Sequence, residues 1–174
     1  MSDGRVLVAG IGNVFFGDDG FGVEVARRLA ERPRPPHVDV VDFGIRGIDL
    51  AYALLDGYDL AILVDATPRG GAPGTLYVLE PDLAHEGPAR LTDTHGIEPR
   101  RVLDVARGLV LHAGADAEPP MRLPVLRIVG CEPAAVLDED DMAMGLSAPV
   151  AAAVDAAVAL VESLVTEVRE AARA

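Results

Sequence analysis

The sequence has no lysine, no glutamine and no tryptophan, and it has one asparagine (Asn13), one cysteine (Cys131) and three serines. Each shortage closes a route to chemistry. Without lysine there is no Schiff base, no Ser–Lys pair and no phosphate-loop lysine. A single cysteine excludes a disulfide framework, an iron–sulfur cluster and a cysteine-built zinc knot. Ser2, Ser147 and Ser163 lie at the terminus, at a helix start and within a helix, none of them in a Gly-x-Ser-x-Gly elbow. No His-Glu-x-x-His pattern occurs. Bases are also scarce. Fifteen arginines against 28 acids leave a net charge of −13, without the basic footprint that nucleic-acid binding requires.

What remains is aliphatic. Half of the 174 residues are hydrophobic and only 4% are aromatic, which suits a sheet packed against helices and does not suit a disordered acidic chain. The length suits one domain, 1–174. No stretch approaches the ~20 apolar residues of a membrane span, and Met-Ser-Asp-Gly is not a signal-peptide start. The expectation is a soluble, cytoplasmic protein, monomeric and without membrane or nucleic-acid partners.

Apolar runs at Arg5–Gly10, His37–Phe43, Asp59–Asp65, Thr75–Leu79 and Val125–Cys131 read as strands. Helical periodicity marks Phe21–Glu31, Gly47–Leu55, Pro99–Val110 and a last helix from Ser147 to about Ala171. Alternating strands and helices predict an α/β fold with a mainly parallel sheet between two helix layers. The link Ala66–Gly74 is nearer hairpin size than crossover size, so the fourth strand is expected to be antiparallel.

Ligands in such folds bind beyond the carboxyl ends of the strands. That rule nominates the loop Gly10–Gly22, then Asp65-Ala-Thr67, Thr92-Asp93-Thr94-His95-Gly96 and Gly130-Cys131-Glu132-Pro133. The first loop is not a dinucleotide fingerprint, because position 15 is Phe where the third glycine would stand. Asn13 reads first as a turn residue. Asp18 reads as either a helix cap or a site residue, and Asp19 leans further towards the site. Cys131 reads as a small hydrophobe at a strand end, and the acids Asp138–Asp141 as a solvated loop. His37, His85 and His112 are weaker candidates than His95. Asp19, Asp65 and His95 fall on one edge of the sheet. Two carboxylates and an imidazole make a three-ligand metal site with open positions, suited to zinc or nickel.

The run Val8-Ala-Gly10-Ile-Gly12-Asn13-Val-Phe-Phe-Gly17-Asp18-Asp19-Gly20-Phe-Gly22 resembles the N-terminal signature of the nickel–iron hydrogenase maturation endopeptidases. Asp42-Phe-Gly44-Ile-Arg-Gly47, Ile62-Leu-Val-Asp65-Ala, Thr94-His95-Gly96 and Gly130-Cys131-Glu132-Pro133 follow in the matching order. The resemblance implies a three-layer α/β/α fold with a five-stranded sheet, one strand antiparallel. It implies removal of a C-terminal extension from the nickel-loaded hydrogenase large-subunit precursor. Asp19, Asp65 and His95 match the metal-contacting positions, and position 19 is glutamate in some members. The nickel would be carried by the substrate, with zinc or cadmium as substitutes in vitro. Gly10, Gly12, Asn13, Gly44 and Gly47 are the expected peptide contacts, with Arg46 and Arg69 near the cleft. Two other readings stay open: a metal-dependent hydrolase of another peptide, and a nickel-sensing partner without proteolysis.

Overall fold

A computed structural model of the chain describes residues 4–81, 99–114, 120–134 and 142–173. Its ordered elements are β1 (Val6–Ile11), α1 (Phe21–Ala30), β2 (Val38–Gly44), α2 (Gly47–Ala53), β3 (Leu60–Ala66), β4 (Leu76–Leu79), α3 (Pro99–Ala113), β5 (Val125–Cys131) and α4 (Ala148–Arg173). A single 3-10 turn, Gly17–Gly20, leads into α1.

The sheet order is β2-β1-β3-β5-β4. β1 pairs in parallel with β2 and β3, and β3 pairs in parallel with β5. β4 is antiparallel, as its short link predicts, but its partner is β5 and not β3. The link after β3 therefore carries the chain past one strand position, and β5 later fills the gap. Glu132 anchors that link from the end of β5, as described below.

Alternating residues of β1 feed two cores. Val6 and Val8 join α1 and α4 on one face, while Leu7, Ala9 and Ile11 join α2 and α3 on the other. β1 is wholly buried, and β3 is buried from Leu60 to Asp65. Such continuous apolar runs belong to central parallel strands covered on both faces. The helices obey the complementary rule. In α4, Val150, Val154, Val158, Val161 and Val165 form one buried stripe. By length and composition Ala148–Glu167 is apolar enough to cross a membrane, contrary to the sequence expectation. The valines and leucines supply most of that hydropathy, and the valine stripe is spent on the core against the sheet. Arg28 ties α1 to α4 through Asp155 at 2.8 Å while also pairing with Glu24 one turn back.

α1 lies unusually close to the strands. A Cβ on Gly22 would stand 2.0 Å from the Val64 carbonyl oxygen and 2.4 Å from that of Ile11. Gly22→Ala is therefore expected to cost at least about 1–3 kcal/mol, the usual range for overpacking. Gly108, within α3, has nothing within 4 Å of its Cβ position. Gly108→Ala is expected to stabilise the fold by up to about 1 kcal/mol through helix propensity. Thermal melts of the two variants check the contrast. Equal effects would contradict it.

Candidate active site at the carboxyl edge of the sheet

From β1 the chain steps outward to β2, then returns across β1 to β3. The order therefore reverses between β1 and β3, and the carboxyl ends at such a reversal are where open α/β sheets bind ligands. Asp19 stands in the 3-10 turn after β1, and Asp65 is the penultimate residue of β3. The two predicted carboxylates thus flank the reversal.

Gly12 makes the turn possible. Its φ is +133°, a backbone conformation that side chains rarely adopt, and a Cβ there would lie 1.7 Å from the Asp19 carbonyl oxygen. Asp19 is held from both sides. Its amide donates to the Phe16 carbonyl at 3.2 Å. Its carboxylate Oδ2 accepts the Asn13 amide at 2.6 Å. Asn13 in turn accepts the Phe15 amide on its side-chain oxygen at 3.0 Å, a self-closing asparagine turn as its residue type suggests.

Asp65 is 8% exposed. Burial pushes its carboxyl well above the usual range, and the charge of Asp19 pushes it further, against a lowering hydrogen bond from the Ala66 amide. A buried acid whose ionisation is disfavoured by a second carboxylate at a strand edge is a mark of a functional pair.

The remaining expected residues divide. Gly44 closes β2, and its carbonyl accepts the Gly12 amide at 3.0 Å, so these two join Asn13 at the same edge. Gly47 opens α2 next to them. Gly10 is taken up by packing, since a Cβ there would meet the Gly22 carbonyl oxygen at 2.4 Å. Arg46 donates to the carbonyls of Phe43, at 3.3 Å, and Asp42, and Arg69 lies over the Tyr77 ring. His95, His85 and Asp138–Asp141 lie outside the described residues. Cys131 is fully buried in the α1/α4 core, and burial and the nearby acids Asp18 and Glu132 push its thiol up to about 11. It packs as a small hydrophobe and is not placed to supply a thiolate.

The family model described as "Hydrogenase maturation protease" matches residues 23–164. The chain belongs to the hydrogenase maturation protease family. It is 31% identical over 156 residues to the hydrogenase expression/formation protein HupD of Rhizobium leguminosarum bv. viciae, covering 88% of this chain and 70% of that one. The solved hydrogenase maturating endopeptidase HybD of E. coli superposes with a TM-score of 0.71 at 27% identity, covering 94% of this chain and 93% of that one. A hydrogenase 2 maturation peptidase from Thaumarchaeota archaeon SCGC_AB-539-E09 gives a TM-score of 0.64 at 32% identity, covering 92% and 97%. Against four further curated relatives the chain spans 37–54% of their length.

Two other buried carboxylates lie near the edge, and sequence reasoning gave neither its actual part. Asp18 is 5% exposed. Its carboxylate bonds run away from its own turn and from α1. It accepts instead from the Ala134 amide at 2.8 Å, the Ser147 amide at 2.7 Å and the Ser147 hydroxyl at 2.9 Å. Ser147 heads α4, as expected, but its hydroxyl is given to Asp18. Glu132, also 5% exposed, accepts from the amides of Arg69 and Gly70 and from the Tyr77 hydroxyl at 2.8 Å. Burial raises its carboxyl, but the Tyr77 hydroxyl and the amides of Arg69, Gly71 and Gly70 outweigh that and hold it below its ordinary value. The carboxyl ends of the strands were the right signal for both. Their distant partners, 116 and 129 residues away for Asp18, were not visible in sequence spacing.

The Asp65 shift has a signed consequence. In the unfolded chain Asp65 ionises near 3.8. Folding raises that value, so the ionisation-linked cost of burial is absent below it and grows as pH rises towards the folded value. Asp65→Asn removes the titration. It is expected to melt above the parent protein at pH 7, with the gap closing towards pH 4. A variant less stable at pH 7 than at pH 4, relative to the parent, would contradict this.

Proposed function

We propose that this protein removes the C-terminal extension from a nickel-loaded nickel–iron hydrogenase large-subunit precursor, acting as a cytoplasmic monomer, with nickel as the recognition element. The observation that carries the proposal is the Asp19–Asp65 pair at the reversal point of the sheet. Family membership supports the reaction class. The donor chemistry supports the division of labour with the substrate. The chain's one cysteine is buried in the core, so thiolates around the metal have to come from the precursor.

Asp19 and Asp65 offer carboxylate oxygens, and His95 is the third ligand in this reading. The metal held by precursor thiolates supplies a fixed cationic point against which the scissile bond is positioned, a proximity effect. The chain's own part is to receive that charge. Burial and the charge of Asp19 both disfavour the ionised form of Asp65. A cation received by the pair would offset the charge of Asp19 and favour that form. The Gly12–Asn13 and Gly44–Gly47 backbones flank the pair, where an extended peptide could lie close. Zinc or cadmium, divalent ions that accept imidazole and carboxylate ligands, are the expected stand-ins in vitro.

Incubation with nickel-loaded precursor tests the reading. The parent protein is expected to release the tail. His95→Ala and Asp19→Asn are expected to slow release by about 100-fold or more, the scale of removing one positioned electrostatic group. His95→Ala is expected to leave the melting temperature nearly unchanged. Complex formation without release of the tail would favour a non-proteolytic nickel-sensing partner and would end the endopeptidase reading.

A further inference from the structure

We propose that Asp18 is a positioning residue for the same reaction, holding Asp19 at its working place relative to Asp65. The proposal rests on the reading of Asp19 and Asp65 as the reacting pair. Asp18 and Asp19 are adjacent in one 3-10 turn, but they face different structures. Asp19 shares its carboxylate with the Asn13 amide at the sheet edge. Asp18 is buried and reaches two segments far away in sequence, the turn after β5 at Ala134 and the head of α4 at Ser147.

These contacts close a mechanical circuit. Asp65 of β3 is in register with Gly130 of β5, and Ala66 with Cys131. The Thr67 amide then donates to the Cys131 carbonyl at 2.8 Å. Three residues after Cys131 comes Ala134, whose amide is fastened to Asp18. From Asp65 the path runs along hydrogen-bonded β5 backbone to Ala134, crosses to the Asp18 carboxylate and returns to Asp19, its neighbour in the chain. The second anchor, Ser147, opens the helix whose valine stripe fills one core. The same approach is repeated just before it. The Gly17 amide donates to the Ala143 carbonyl at 2.6 Å, and the Ala143 amide to the Phe15 carbonyl at 3.1 Å. The turn bearing Asp19 is thus docked against residues 143–147, with Asp18 as a buried charged contact there.

The chemistry requires a carboxylate. Oδ1 faces the Ser147 amide, and Oδ2 faces the Ala134 amide together with the Ser147 hydroxyl. An asparagine can accept at one of these places only, and must aim its own NH2 donors at the other backbone donor. Asp18→Asn therefore keeps the size and breaks the clamp.

The test compares Asp18→Asn, Ser147→Ala, Asp19→Asn and Val158→Ala in the full chain. Val158→Ala loosens the middle of α4, away from the site. The readouts are melting temperature, steady-state kinetics of tail release from nickel-loaded precursor, and amide hydrogen exchange at Asn13. For Asp18→Asn the expected result is a kcat lower by about 10- to 100-fold with KM within about twofold, as misplacement of a reacting group predicts. The Asn13 amide, bonded to Asp19 Oδ2, should exchange at least about tenfold faster, while the amides of mid-α4 keep their protection. Ser147→Ala removes one of three bonds and should shift kcat and Asn13 exchange in the same direction by less. It carries the test alone if Asp18→Asn does not fold. Wild-type kcat and Asn13 exchange in the folded clamp variant would overturn the proposal. So would an equal loss of kcat in Val158→Ala at matched melting temperature. Wild-type activity in Asp19→Asn would instead remove the reacting pair itself, and the positioning role with it.

Discussion

Close backbone contact between the β1–α1 connection and the sheet is the constraint from which the site follows. At Gly12 a single added carbon would stand 1.7 Å from the carbonyl oxygen of Asp19, and at Gly22 it would stand 2.0 Å from that of Val64. One glycine lets the turn carrying Asp19 fold down onto the strand end. The other lets α1 settle against β3 one residue before Asp65. Both carboxylates are thereby brought to the same edge, near enough for the charge of Asp19 to raise Asp65. Side chains at either glycine would lift the turn or the helix and separate the pair.

Three buried acids at this edge show how partners decide roles. Asp18 and Glu132 each collect several donors, and each fastens loops that leave the strand ends. Asp65 has burial and a neighbouring negative charge, with one lowering hydrogen bond from Ala66 set against them. Buried carboxylates with full sets of donors hold structures together. One held in its neutral form by its surroundings is in tension with the fold, and such tension collects at sites that await a charge. The net charge of −13 gives no hint of this difference. Most acids decorate helices and loops, and the consequential ones are the few that the sheet edge encloses.

The architecture was largely legible because its signals are local. The apolar runs of β1, β3 and β5 and the valine stripe of α4 each fall where the chain places them. The reversal of β4 was legible from the shortness of its link. Its partner was not, because β5 arrives some fifty residues later and takes the inner place. The rule that ligands sit beyond strand ends nominated Asp19 and Asp65, and the fold sets both at that edge. Gly10 was expected against a peptide, and the structure shows a packing reason for the glycine, since an added Cβ would meet Gly22 and Ala26. The clamp of Asp18 could not be seen in the sequence at all. It depends on which loops meet in space, and no local pattern in the Asp-Asp pair distinguishes the residue that reaches Ala134 and Ser147 from the one that accepts the Asn13 amide.

The central claim is that Asp19 and Asp65 form one cation-receiving site at the reversal of the sheet. Crystals of the protein soaked with a cadmium salt test it most directly through anomalous diffraction. The account predicts a strong anomalous peak between Asp19 and Asp65, with the His95 imidazole completing the ligand set. Peaks confined to surface acids such as Asp49 or Asp155, with the Asp19–Asp65 gap empty at saturating cadmium, would contradict it.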